Sequence, residues 1–153
     1  MAKIRISKDF KKAYEDAKKN MQKKMRSEVK KEIVSAIQKG ISPVSGKGRF
    51  ANYSISYQGA IKKGYYSRFA KALRPVNLTL SGQMLKSIKD RVTSKGFTIR
   101  FSDKKAKYHN EKGAGKSRVV RRMLPVNNEK LSRAILSNIE KIFKDIVKKS
   151  FKR

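Results

Sequence analysis

The chain contains no cysteine, which excludes disulfides and thiolate metal sites alike. It has one histidine, His109, so a single copy cannot supply the imidazole pair that many metal sites use. Acids are scarce: 11 stand against 41 Lys and Arg, and between residues 41 and 126 there are only Asp90, Asp103 and Glu111. That is a poor supply for two-metal nuclease chemistry or for the carboxylate pair of a glycosidase. No nucleophile has a base beside it at a telling spacing. No apolar run approaches the roughly 20 residues that span a bilayer, and Met1–Ile6 lacks the apolar centre of a signal peptide. The expectation is a protein made and kept in a cytoplasm. It is not an enzyme, needs no cofactor and has no membrane partner, and no residue is assigned to catalysis or metal binding.

What the chain has in excess is positive charge. Its formal net charge is +30 over 153 residues, with 34% charged and 38% hydrophobic side chains. The length fits one domain, 1–153, with a modest core. Residues 1–40 carry a net +8, residues 127–153 a net +5 and the centre, 41–126, a net +17. A monomer this basic repels itself and calls for an anionic partner. The charge distribution points that partner at the centre.

Hydrophobic spacing gives the architecture. Ala2–Ile6 alternates as a short strand, and Ser7 caps a long helix. The helix carries Phe10, Ala13, Tyr14, Ala17, Met21, Met25, Val29, Ile33, Ala36 and Ile37 at steps of three and four. Gly40 and Pro43 end it. About 32 residues make a rod of roughly 48 Å, longer than a small domain covers. Residues 41–77 read as a long basic loop with a short helix near Ala60, ordered by neighbouring subunits because its aromatic residues need cover. Ser81 caps a short helix through Ile88. Asp90–Thr93 and Phe97–Ser102 are strands joined at Ser94-Lys95-Gly96, with Phe97, Ile99 and Phe101 on one face. Asp103 caps a helix containing Tyr108 and His109, which Gly113 closes. Val119–Leu124 reads as a further strand, and Asn127 or Asn128 caps a last helix carrying Leu131, Ala134, Ile135, Ile139, Ile142, Phe143, Ile146 and Val147. The class is α+β: a small, mostly antiparallel sheet packed with long N-terminal and C-terminal amphipathic helices.

Two motifs carry bland readings. Gly113-Ala114-Gly115-Lys116-Ser117 resembles the end of a phosphate-binding loop, but that pattern requires glycine where Asn110 stands and a helix where Arg118-Val119-Val120 follows. Tyr108-His109 reads as a packed pair. A basic cluster comprises Lys104, Lys105, Lys107, Lys112, Lys116, Arg118, Arg121 and Arg122. It reads either as the solvated surface of a Lys-rich protein or as a face near DNA or an acidic partner, touching phosphates without reading sequence. No helix-turn-helix, zinc finger or RNA-binding signature is present.

Three elements occur in a suggestive order: Leu78-Thr79-Leu80-Ser81-Gly82 running to Leu85 and Ser87, then Tyr108-His109-Asn110-Glu111-Lys112-Gly113, then Arg121-Arg122-Met123-Leu124-Pro125. This series resembles the tail-completion and virion-morphogenesis proteins of tailed bacteriophages, which sit at the head–tail junction or tail end. The resemblance covers about a third of the chain. It implies a structural protein of the neck or tail, found in the virion and in the host cytoplasm during assembly. It further implies a ring, hexameric or larger, joined to neighbouring neck or tail proteins, with packaged DNA as a non-specific contact. Matching positions, expected at subunit interfaces, are Ser81, Gly82, Leu85, Ser87, Tyr108, His109, Gly113, Leu124 and Pro125. Arg122 stands where the family has proline, and residues 41–77 are longer and more basic than its pattern. The alternative from a different class is a non-specific nucleic-acid-binding basic protein.

Overall fold

The computed structural model describes residues 8–67, 73–76, 83–113 and 118–151. The expected strand at Ala2–Ile6 and the Ser7 and Ser81 caps lie outside these residues. The described elements are α1 (Lys8–Gln38), α2 (Ile55–Lys62), α3 (Gln83–Lys86), β1 (Ile88–Thr93), β2 (Gly96–Phe101), α4 (Lys104–Glu111) and α5 (Arg133–Phe151). The fold is α+β, with one antiparallel two-stranded sheet and long helices from both ends of the chain.

α1 is the spine. Met25, Val29, Ile33 and Ile37 recur every four residues and are all buried, so its second half lays one apolar stripe on the rest of the molecule. The helix stops because Gly40 takes a left-handed φ of +74°. There the Gly40 N–H donates to the Ile37 carbonyl and the Ile41 N–H to the Ala36 carbonyl, both at 3.0 Å, which is the Schellman closure. A side chain at Gly40 would also press on Pro75 and Val76.

The first half of α1 behaves differently. From Lys12 to Asn20 every side chain except the half-buried Lys18 is exposed, including the expected stripe residues Ala13, Tyr14 and Ala17. α5 runs back along α1: Ser132 donates its N–H to the Pro43 carbonyl at 2.7 Å, and six residues later Asn138 meets Glu32 at 3.1 Å. Ile135 is buried in that contact, and Ile139, Ile142 and Ile146 pack against the core.

The hairpin β1–β2 pairs Ile88 with Phe101, Asp90 with Ile99 and Val92 with Phe97. These six side chains share one face, which turns toward α1, and Ser94-Lys95 forms the two-residue turn. Asp90, the one acid on that face, reaches Arg26 at 3.1 Å and Lys30 at 3.2 Å and so ties the sheet to the spine.

Several boundaries depart from expectation. Ile88 is not the end of a helix but the first residue of β1 and fully buried; α3 ends at Lys86. Residues 119–124 do not form a named strand: the Arg121 N–H bonds to the His109 carbonyl of α4, and the Arg122 carbonyl and the Met123 and Leu124 N–H groups bond to side chains. The last helix is not capped by Asn127 or Asn128. Leu131 is bridged to Val44, and Ser132 Oγ accepts the Ile135 N–H at 3.4 Å, so the helix begins at Arg133. The loop after α1 is also held within the chain as far as Phe50: Ile41 bridges to Arg49, Ser42 N–H donates to Gly48, and Ser45 N–H donates to Lys130. The short helix expected near Ala60 is α2.

Replacing Ile37, which is fully buried, should test the spine. Ile37→Ala is expected to lower the unfolding free energy by about 2–5 kcal/mol in urea denaturation. A change within about 0.5 kcal/mol would mean that α1 is not the centre of the core.

Candidate functional site

The segments that carry the three motif elements converge. α3 and β1 deliver Leu85 and Ile88 into the cluster that also holds Met123 and Leu124. Ser87 links the first element to the second: its carbonyl accepts from both the backbone N–H and the hydroxyl of Ser102, at 2.8 and 3.0 Å. Asp103 follows directly and caps α4, its carboxylate accepting the N–H groups of Lys105 and Ala106 at 2.6 and 3.3 Å.

Asn110 joins the second element to the third. It is 2% exposed, and its Oδ1 accepts the N–H groups of Met123 and Leu124 at 2.6 and 2.8 Å. Its Nδ2 donates to the Leu124 carbonyl at 3.0 Å. One amide side chain thus does for this segment what a neighbouring strand would do. The Arg121 N–H donates to the His109 carbonyl at 3.2 Å, and Arg122 Nη1 donates to the Asn110 carbonyl at 2.5 Å. Gly113, at φ +83°, closes the unit: a Cβ there would overlap the Arg118 carbonyl. Glu129 finishes it by pairing with Arg122 at 3.1 Å and Lys47 at 3.6 Å while accepting the Val126 N–H.

This geometry revises the expected interface. Leu85, Ser87, Gly113 and Leu124 are buried within the one chain, so they hold the motif elements together and offer no surface to a neighbour. Tyr108 is exposed, while His109 and Pro125 are half-buried at the rim. Ser81 and Gly82 lie outside the described residues, as do Ala114–Ser117 of the phosphate-loop-like stretch.

The basic cluster divides in the same way. Lys104, Lys105, Lys107, Lys112 and Arg118 are exposed, and Lys116 lies outside the described residues. Arg121 and Arg122 leave the set of partner contacts. Arg121 is only 7% exposed; its Nη2 donates to the carbonyls of Ala51 and Asn52 at 3.3 and 2.9 Å, and its guanidinium lies 5.7 Å from the Tyr53 ring centre. Burial pushes its pKa below the ordinary arginine value, yet it remains a cation. Arg122 is taken up by Glu129 and Asn110.

Sequence reasoning passed over Asn110 and Glu129. An asparagine inside a helix, where its propensity is poor, was the available signal for the first. No local signal marks the second.

Beyond this cluster lies uncovered apolar surface. Ser54 caps α2, yet no residue of that helix is fully buried, and Ile55 is 89% exposed. Tyr65, just after it, is 72% exposed, and Tyr14 on α1 is 59% exposed. This segment also carries a chain of tyrosine contacts, Tyr53 edge-on to Tyr57 and Tyr57 tilted against Tyr66, each pair 5.0 Å between ring centres. Among the described residues no group of His, Asp and Glu is placed to hold a metal ion, and no helix is long and apolar enough to cross a membrane. The chain matches no family model, no curated protein and no solved structure.

Two outcomes test the cluster. Asn110→Ala leaves two buried backbone N–H groups without their acceptor and should cost about 2–5 kcal/mol in urea denaturation; a loss under about 1 kcal/mol would show that the clamp is not needed. His109 titrates below its ordinary range, first because it is desolvated and second because Arg121 is near. The folded state therefore resists protonation, and its contribution is intact above pH of about 6.5, the unfolded value. It is lost as pH falls from there through the lowered folded value. Denaturation midpoints should decline across that window and decline less in His109→Gln; equal slopes would contradict the placement of the ring.

Proposed function

We propose that this chain is a structural subunit of a tailed-phage neck or tail-completion complex, assembling into a ring that joins or completes head and tail. The observation that carries this reading is helical order without burial. An eight-residue helix is marginal in water by itself, yet α2 has no fully buried residue and opens on an almost fully exposed isoleucine. The first turns of α1 likewise project beyond the packed core with Tyr14 exposed. Helices of this kind hold their shape when a second surface covers them.

A second copy of the chain is the simplest cover. A patch on α2 that meets the α1 overhang of the next copy is a head-to-tail contact, and such contacts close into rings when the rotation per copy divides a full turn. Each weak contact is then strengthened by closure. The motif cluster supplies the rigid body that holds the two surfaces at a fixed angle: Asn110 and Gly113 lock the third element onto the second. The order of the motif series supports the phage setting in particular, with residues such as Tyr108, His109 and Leu124 in the positions that the resemblance assigns.

Deleting the gene from the phage genome that encodes it and viewing lysates by electron microscopy tests this reading. Separated heads and tails are expected, joined again by the wild-type chain and not by a Tyr14→Glu, Ile55→Glu double variant that melts like wild type. Normal particles in the absence of the chain would overturn it.

A further inference from the structure

The basic cluster legible in the sequence, around Lys104–Arg122, loses two arginines to internal bonds. Six cations surround a concave surface elsewhere, in the groove between α1 and the α3–β1 corner. This groove encloses about 830 Å³ and is walled by Lys23, Arg26, Lys30 and Lys31 from α1 and by Lys86 and Lys89 from the opposite side. Asp90 is the only acid among its lining residues. We infer that this groove binds the phosphate backbone of duplex DNA without reading its sequence. The inference stands on the groove's charge and chemistry and does not depend on ring assembly.

The spacing supports a track, not a point site. The α1 cations that line the groove, Lys23, Arg26, Lys30 and Lys31, follow one face of the helix over about 12 Å. The same length of duplex carries about 7 phosphate charges. Charge is available to meet them. Asp90 is shared between Arg26 and Lys30, and Lys31 pairs with Glu28, whereas Lys23, Lys86 and Lys89 have no carboxylate partner among the described residues. Asp90 subtracts one charge but also braces Arg26 and Lys30 side by side, so less side-chain entropy is lost when an anion arrives. The surface continues past the groove onto the outer face of the hairpin, where Arg91 and Arg100 are exposed.

The rest of the lining narrows the ligand. The groove has no aromatic side chain, so it offers no platform on which unpaired bases could stack. That favours duplex over single strand. Leu85 is buried beneath the groove and Val34 is half-buried, and every other lining residue is polar or charged, so no large apolar side chain stands open in it to anchor a protein partner. Lysines as mobile point charges, with Ser27 and Gln38 as the neutral polar groups, suit phosphates and discriminate poorly among bases.

The test is fluorescence titration of a labelled 30-base-pair duplex by the full chain between 50 and 200 mM salt. Three proteins are compared: wild type, the Lys23→Gln, Lys86→Gln, Lys89→Gln variant, and a Lys104→Gln, Lys105→Gln, Lys107→Gln variant that removes the same charge from α4. Thermal melts confirm that each is folded. The groove variant should bind about tenfold or more weakly at 50 mM salt, with its logarithmic salt slope reduced by about 2–3. The α4 variant should stay within about threefold of wild type. Equal losses in the two variants would show that only total charge matters and would overturn the groove. Single-stranded DNA of the same length binding as tightly as duplex would overturn the duplex assignment. Polyglutamate of matched charge displacing the duplex with equal affinity would overturn it in favour of an acidic protein surface.

Discussion

Everything in this molecule is referred to the apolar seam on the second half of α1. Met25, Val29, Ile33 and Ile37 form a single row, and α5, the hairpin and the 119–124 segment are arranged by what each can lay against it. Burial at that row supplies the non-directional part of the stability. The directional part comes from a few polar side chains that fix each piece in place: Asp90 for the hairpin, Ser132 for the start of α5 and Asn110 for the extended segment. In a chain with little apolar material and much self-repulsion, Asp90, Glu129 and Asn110 each hold more than one group.

Much of this was legible from periodicity. The α1 stripe, the alternation of Phe97, Ile99 and Phe101, and the Asp103 cap are local signals, and the structure forms the corresponding helix, strand and cap. The failures share one cause, which is long-range polar pairing. Leu131 fits the helical spacing of α5 but is claimed by a bridge to Val44, far away in sequence. Val119–Leu124 alternates like a strand, yet its backbone bonds go to His109, Asn110 and Ser42. Arg121 looked like surface charge, and only the fold shows it beneath the Ala51–Asn52 backbone and beside Tyr53. Neither the identity of a side chain nor its spacing discloses a partner about 70 residues away.

The same distinction separates what stabilises the chain from what it offers to others. Of the motif residues expected at an interface, Leu85, Ser87, Gly113 and Leu124 are internal and serve the packing of the chain itself. The exposed surfaces include apolar side chains, on α2, the α1 overhang and α5, and cationic ones, along the α1 groove, the outer face of the hairpin and α4. They suit different partners. In the proposed ring, apolar patches bring copies together while the cationic groove faces phosphate. Neutralising the groove would also relieve the repulsion among copies that each carry +30, so assembly and DNA contact would favour one another.

The claim that α2 and the first turns of α1 depend on a second copy is tested most directly by hydrogen exchange of residues 12–20 and 55–62 as the protein is concentrated. Amides in both segments are predicted to exchange freely in dilute solution and to become protected together as light scattering shows the oligomer forming, while amides around Ile33 stay protected throughout. Oligomer formation with unchanged exchange in both segments, or full protection already present in a dilute monomer, would contradict the account.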